Sequence, residues 1–199
     1  CSNMFYSSPT QLLLPGRARM MGDGWENARR RDDGNDHVTV RLAARATLRR
    51  VEIDTSYFVG NAAGWARLSG IDARGGADLD DTSLWRELVP RTRLQPDTRQ
   101  FFRLGGQPPV THVRLDVYPD GGLARLRIDG EILPEALREA TVRWLDSLPD
   151  ARVREVLTQG GGLGVDEAGR LTGQRPFGQA DALPPAVLAA LLGDAGSPG

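Results

Sequence analysis

The chain has 199 residues, 40% of them hydrophobic, so it can bury one substantial core without leaning on a disulfide framework. Its 25 basic residues are balanced by 26 acidic ones to a formal net charge of -1, which leaves little long-range field to gather a polyanion and argues against nucleic acid as a partner. The one cysteine, Cys1, has no internal partner, and no apolar run approaches a membrane span; with no secretory pattern at the start, the chain is expected to be cytoplasmic.

All the basic residues are arginine, which reads as the bias of a GC-rich genome rather than as a binding signal. The chain opens at Cys1 without an initiating Met, as though a segment upstream were missing.

Short alternating segments come first: Val38, Val40 and Leu42; Val51 and Ile53; Val113, Leu115 and Val117; Ala124, Leu126 and Ile128. A period of two predicts half-buried strands. Gly and Asp/Asn clusters at 32–35, 60–64, 75–81 and 119–122 predict the turns between them. No helical pattern long enough for a crossover separates the strands, so an antiparallel sandwich or jelly roll is favoured over an α/β sheet. After Gly130 the period becomes helical. Pro134 opens a helix with Leu137, Ala140, Thr141, Trp144, Leu145 and Leu148 on one face, and Pro149 ends it. A second short helix is expected over 152–157, a break at 160–164, and a last helix from Pro185 with Val187, Leu188, Leu191 and Leu192 apolar, stopped by Gly193. The tail from 195 to 199 reads as disordered.

Four motifs carry more than composition does: LLLPGRARMMGDGWENARRR from Leu12, VEIDTSYFVGN from Val51, LVPRTRLQPDTRQFFRL from Leu88 and THVRLDVYPDGGLARLRIDGE from Thr111. In one continuous order over roughly residues 3 to 131, they resemble the repeat of the allantoicase family. The resemblance implies an all-β, galactose-binding-like jelly-roll sandwich over 1–131, with a helical extension over 132–199. It also implies hydrolysis of allantoate to ureidoglycolate and urea, and oligomeric assembly. Family members usually carry two such repeats, and the LLLPGR opening resembles the second, so the chain is expected to be the C-terminal half of a longer enzyme or a single-repeat relative. Three positions depart from the family pattern: Asn27 stands where Thr is frequent, and Tyr57 and Gln100 where His is frequent. If those histidines act in catalysis, this copy is weakened. The segment WLDSLPDARVREVL also resembles, more weakly, C-terminal additions on bacterial allantoicases.

Allantoate carries a carboxylate and two ureido groups, so a site needs a cation, amide partners and a base. The arginines at 29, 30 and 31 offer planar forks for the carboxylate; alternation along a strand puts Arg29 and Arg31 on one side and Arg30 on the other. The same arginines equally suit an exposed ladder with Glu26. Among the carboxylates Glu26, Glu52, Asp54 and Asp120, Glu26 and Asp54 are favoured as base, while Asp54 equally suits a turn cap toward Thr55. Asn61 is the candidate for orienting a ureido carbonyl, or else a left-handed turn residue after Gly60. Trp25, with Trp65, Trp85 and Tyr118, is a candidate stacking surface or a core residue. Asp120-Gly121-Gly122 reads as a hairpin turn. His37 and His112 lie far apart with no ligand spacing, so no cofactor is expected, although carboxylates alone leave room for a divalent ion. Gly160-Gly161-Gly162 lacks the Lys-Ser or Lys-Thr of a phosphate loop. The competing reading is a non-catalytic module: the inactive half of a tandem allantoicase, or a carbohydrate-binding-like sandwich.

Overall fold

The computed structural model describes residues 1–193, so the expectation for the tail falls outside the described residues. The chain divides into two compact units, Cys1–Ile132 and Leu133–Gly199.

In the first unit the strands are β1 (Trp25–Glu26), β2 (Asp36–Asp54), β3 (Trp65–Ile71), β4 (Arg86–Arg93), β5 (Arg99–Arg103), β6 (Val110–Tyr118), β7 (Gly122–Leu123) and β8 (Arg125–Ile132). All pairings between these strands are antiparallel. This is the jelly-roll-like β architecture that the strand pattern and the motif resemblance led one to expect.

β2 departs from expectation in being one strand of 19 residues where the pattern suggested two. Its first part, from Asp36 to Arg41, pairs with β6, extending the row β4-β3-β6; its last part, from Arg50 to Asp54, lies between β5 and β8. The strand therefore belongs to both layers of the sandwich. Even-numbered Ala46 and Leu48 are buried, then odd-numbered Val51 and Ile53, with Arg49 and Arg50 both exposed between them. A register shift between Leu48 and Arg50 in the pairing with β8 supplies the extra residue that moves the inward face from one parity to the other.

One apolar cluster unites the layers: Val38, Leu48, Val51 and Ile53 from β2, Leu68 from β3, Val89 from β4, Val113, Leu115 and Val117 from β6, and Leu126 from β8. Leu12 and Trp25 are wholly buried in the same cluster. The outer faces carry the arginines, in ion pairs such as Arg49 with Glu131 and Arg50 with Asp129. Those pairs are solvent-exposed and contribute little to stability.

The second unit holds α1 (Pro134–Ser147), α2 (Asp150–Gln159), α3 (Val165–Thr172) and α4 (Pro185–Leu192). Pro134 and Pro185 open their helices as expected, and Gly193 closes α4 in the left-handed region at φ 75°. α3 had no counterpart in the sequence reading. The buried face of α1 matches the expected one only in part: Leu145 goes inward and Leu148 packs against the same cluster, as expected, but Ala136 and Val142 also go inward, while Leu137 and Trp144 are 37% and 48% exposed. The loop after α3 is tied to the end of α1, where Phe177 N and Gly178 N donate to the Asp146 carboxylate at 2.9 and 3.1 Å and Arg175 donates to the carbonyls of Asp146 and Leu148.

Gly122 shows how tightly the first unit is packed beneath its short strands. A β-carbon there would lie 1.9 Å from the ring of Phe58, which is fully buried. Replacing Gly122 by Ala is expected to destabilise the unit by roughly 1–3 kcal/mol or more through overpacking. Thermal unfolding followed by circular dichroism checks this, and Phe58→Leu in the same chain should recover part of the loss; equal melting temperatures for wild type and Gly122→Ala would contradict the packing described.

Candidate functional site

The segment GDGWEN sets the site up. Met21–Asp23 makes a single 3-10 turn, and β1 follows, paired with β7 so that Trp25 faces Leu123 and Glu26 faces Gly122. Alternation along this two-residue strand sends Trp25 into the core and leaves Glu26 partly exposed. Trp25 is 0% exposed and its indole N–H donates to the Asn3 carbonyl at 3.1 Å, so its role is packing, and the expected stacking surface is not formed by this ring. The backbone of Glu26 is held from the other side, its carbonyl accepting from Phe5 N at 3.0 Å.

The Glu26 carboxylate accepts a 2.7 Å hydrogen bond from the Asn61 amide. Asn61 is fixed in turn because its own carbonyl accepts from Gly122 N at 2.7 Å. Two residues drawn from separate motifs are thus joined through β7. Asn61 is not in the left-handed region; the residue of its segment that is, at φ 70°, is Tyr57, whose N–H donates to Asp97 at 2.7 Å.

Asp54 closes β2 and is 2% exposed. Its carboxylate accepts from Ser56 N at 2.8 Å and its carbonyl accepts from Ala124 N at 2.7 Å. This is the turn-capping geometry, and burial takes the carboxylate out of reach of a bulk-exposed substrate. Beside it the wholly buried Thr55 donates to the Gln95 carbonyl at 2.6 Å and accepts from Thr98 N at 3.0 Å, so the residues around Asp54 anchor the loop that delivers Asn61.

Residues 27–31 are not strand, yet the arginines still divide as alternation suggested. Arg29 and Arg31 are exposed. Arg30 turns inward, its guanidinium bonding Asp32 and the fully buried Asp36 at 2.8 Å each, while its N–H donates to Asp120 at 2.8 Å. Asp36 also accepts from Ser2 at 2.9 Å and Asn3 at 3.3 Å. Asp120 is accordingly a brace for the arginine loop. Glu52 is engaged by Arg99 at 2.6 and 2.9 Å on the β5 side.

Two of the three departures from the family pattern, Asn27 and Gln100, occupy structural positions, while Tyr57 is 47% exposed. Asn27 accepts from Gly121 N at 2.6 Å, and its buried amide nitrogen has no partner. Gln100 accepts from Gln95 N at 2.7 Å and donates to the Arg93 carbonyl at 3.2 Å, bridging the ends of β4 and β5.

Sequence reasoning missed Arg125 and Arg127. Arg125 is 4% exposed and donates to the carbonyls of Asp23 at 2.6 Å and Gly16 at 3.2 Å; Arg127 donates to those of Leu12 at 2.9 Å and Gly16 at 2.7 Å. These two guanidiniums stitch the loop before Gly24 to β8. Their spacing of two on a strand was the available signal, but it carries no information about a loop a hundred positions upstream. Of the other aromatic candidates, Trp65 and Tyr118 share the Arg91 guanidinium, 5.7 and 4.1 Å from the ring centres. Trp85 lines a cavity of about 350 Å³ beside Arg67 and Arg114. Among the described residues no group of three or more His, Cys, Asp or Glu is arranged to hold a metal ion, and no helix is long and apolar enough to cross a membrane.

Burial, and then the Arg114 guanidinium, depress the His37 imidazole below its ordinary pKa of 6.5; burial and then Arg41 do the same to His112. The unfolded chain therefore takes up protons near pH 6.5 that the folded chain refuses, and stability present above that pH is lost as pH falls below it. The urea midpoint should be lower at about pH 5.5 than at about pH 7.5, with a smaller difference in a His37→Gln, His112→Gln variant. A wild-type midpoint that rises on acidification over that interval would reverse the sign derived.

The allantoicase family profile, described as the allantoicase repeat, matches residues 1–133. A probable allantoicase of Nocardia farcinica is 56% identical over 133 residues, covering 66% of this chain and 38% of the relative. One from Streptomyces avermitilis is 48% identical over 143 residues, covering 72% of this chain and 36% of the relative. The crystal structure of allantoicase from Saccharomyces cerevisiae superposes with a TM-score of 0.58 at 30% identity, over 65% of this chain and 38% of that one. The chain thus spans well under half the length of the proteins it matches.

Proposed function

This chain belongs to the allantoicase family, and from that premise we propose that it supplies catalytic groups for the hydrolysis of allantoate to ureidoglycolate and urea. The observation that carries the proposal is the 2.7 Å bond between Asn61 and Glu26, which assembles a partly exposed carboxylate and an oriented amide from two distant motifs. In this reading Glu26 takes a proton from water. The water oxygen bonds to the methine carbon as the C–N bond to one ureido arm breaks, and the departing nitrogen receives the proton, so that urea leaves and the carboxylate is restored. Arg29 and Arg31, exposed on the loop that follows Glu26, take the substrate carboxylate through paired N–H groups. Asn61 keeps its amide oxygen for a ureido N–H. Asp54, buried on Ser56 N, positions the loop of Asn61 rather than meeting water. The proton acceptor is a carboxylate, so this scheme invokes no cofactor. A cytoplasmic setting fits a chain whose one cysteine, the exposed Cys1, has no internal partner.

The segments that hold the pair carry side chains that a free surface does not favour: Phe5 and Tyr6, whose N–H groups donate to the Glu26 carbonyl, are 70% and 69% exposed, Val59 69%, and Met20 58%. They support a second reading in which this unit is one part of a larger site, covered by another allantoicase repeat or by a second copy of the chain. The length of its relatives, of which it spans 36–38%, points the same way.

Incubating the purified chain with allantoate, alone and with the part of the Nocardia farcinica relative that this chain does not match, and assaying urea tests both readings. Glu26→Gln is expected to lower turnover roughly 10²–10⁴-fold and Asn61→Ala about tenfold, with melting temperatures close to wild type. Full activity in Glu26→Gln would remove the assigned base. Activity that appears only with the added part would favour the shared site.

A further inference from the structure

The outer face of β3 and β6 carries a second, separate gathering of charge. Antiparallel pairing sets Arg67 opposite Asp116 and Ser69 opposite Arg114. Asp116 is 1% exposed and takes three donors: Arg67 Nη2 at 3.2 Å, Arg114 Nε at 3.1 Å and Asn35 Nδ2 at 3.0 Å. These four residues and Ser69, with Trp85 and Glu87, line the cavity of about 350 Å³. That volume is at the lower end of the range for small-molecule sites.

Arg67 Nε is buried and has no hydrogen-bond partner, while the Arg67 side chain as a whole is 40% exposed. The guanidinium therefore keeps donors beyond the one that meets Asp116. The acidic residue on the floor is already committed to three donors, whereas each guanidinium spends a single N–H on it. Two cations around one buried carboxylate leave the floor with a single formal positive charge, which the exposed Glu87 at the wall balances.

We propose that this cavity binds a small carboxylate anion, held by the unused N–H groups of Arg67 and Arg114. The site is distinct from the Glu26–Asn61 pair, and the proposal stands or falls independently of the catalytic reading. Planar forks suit a carboxylate in a way a single ammonium does not, and Trp85 offers an apolar wall for the body of the ligand.

The test is calorimetric titration of the whole chain with acetate and with N-carbamoylglycine, using urea as the neutral control. It is run in an Arg29→Gln, Arg31→Gln background, so that the exposed arginines cannot account for binding. Saturable heat from both anions and none from urea is expected. Adding Arg67→Gln should weaken binding at least about tenfold. Arg67→Lys, which keeps a cation opposite Asp116 but loses the fork, should weaken it several-fold with an unchanged melting temperature, and Glu87→Gln should strengthen it. Absence of saturable heat in the background variant, or affinities that ignore both Arg67 substitutions in folded protein, would overturn the proposal. Neither result bears on urea release by Glu26→Gln, so failure here is distinguishable from failure of the catalytic assignment.

Discussion

Two residues of β1 laid against two of β7 decide the geometry on which the site depends. With Trp25 opposite Leu123 and Glu26 opposite Gly122, the indole enters the core and the carboxylate is left facing outward. Gly122 then serves twice more: its N–H hooks the carbonyl of Asn61, and its missing side chain makes room for the ring of Phe58. The loop ending at Asn61 can approach Glu26 only because the backbone at 122 is bare. A sandwich with the same core but a larger residue there would separate the amide from the carboxylate.

Around that contact the arginines do two kinds of work. Some are internal fasteners: Arg125 and Arg127 hold carbonyls of the loop that leads into Gly24, and Arg30 holds the buried Asp36. Removing Arg30 would leave the fully buried Asp36 carboxylate without its cationic partner. Others, Arg29 and Arg31, stay exposed and retain their capacity to take an anion. Asp54 illustrates the same division among the carboxylates. It has the composition of a catalytic group and the surroundings of a cap, and its bond to Ser56 N decides for the cap.

The two units differ in how they are held. The first depends on long-range strand pairing, with β2 shared between layers and its direction of burial reset by a bulge near Arg49. The second is a small helical cluster centred on Val142, Leu145, Val153, Leu157 and Leu188, with Asp146 and Arg175 closing its longest loop.

Much of this was legible in the amino-acid order alone. The alternating runs named the strands, the prolines at 134 and 185 named helix starts, and the four motifs carried the family likeness, because strand period, helix entry and dense motifs are local properties. Alternation even divided Arg30 from Arg29 and Arg31, although the segment is not a strand. What only the tertiary structure decided were matters of pairing and depth: that Val40 and Val51 lie on one continuous strand, that Trp25 is core while Glu26 is surface, that Asp54 is capped, and that Asn61 meets Glu26 rather than a turn. Each depends on contacts between residues tens of positions apart, and a local pattern holds no record of which distant backbone will stand opposite. For the same reason the cavity of Arg67 and Arg114 left no mark in the sequence, since only the register of β3 against β6 brings two ordinary strand arginines to one buried carboxylate.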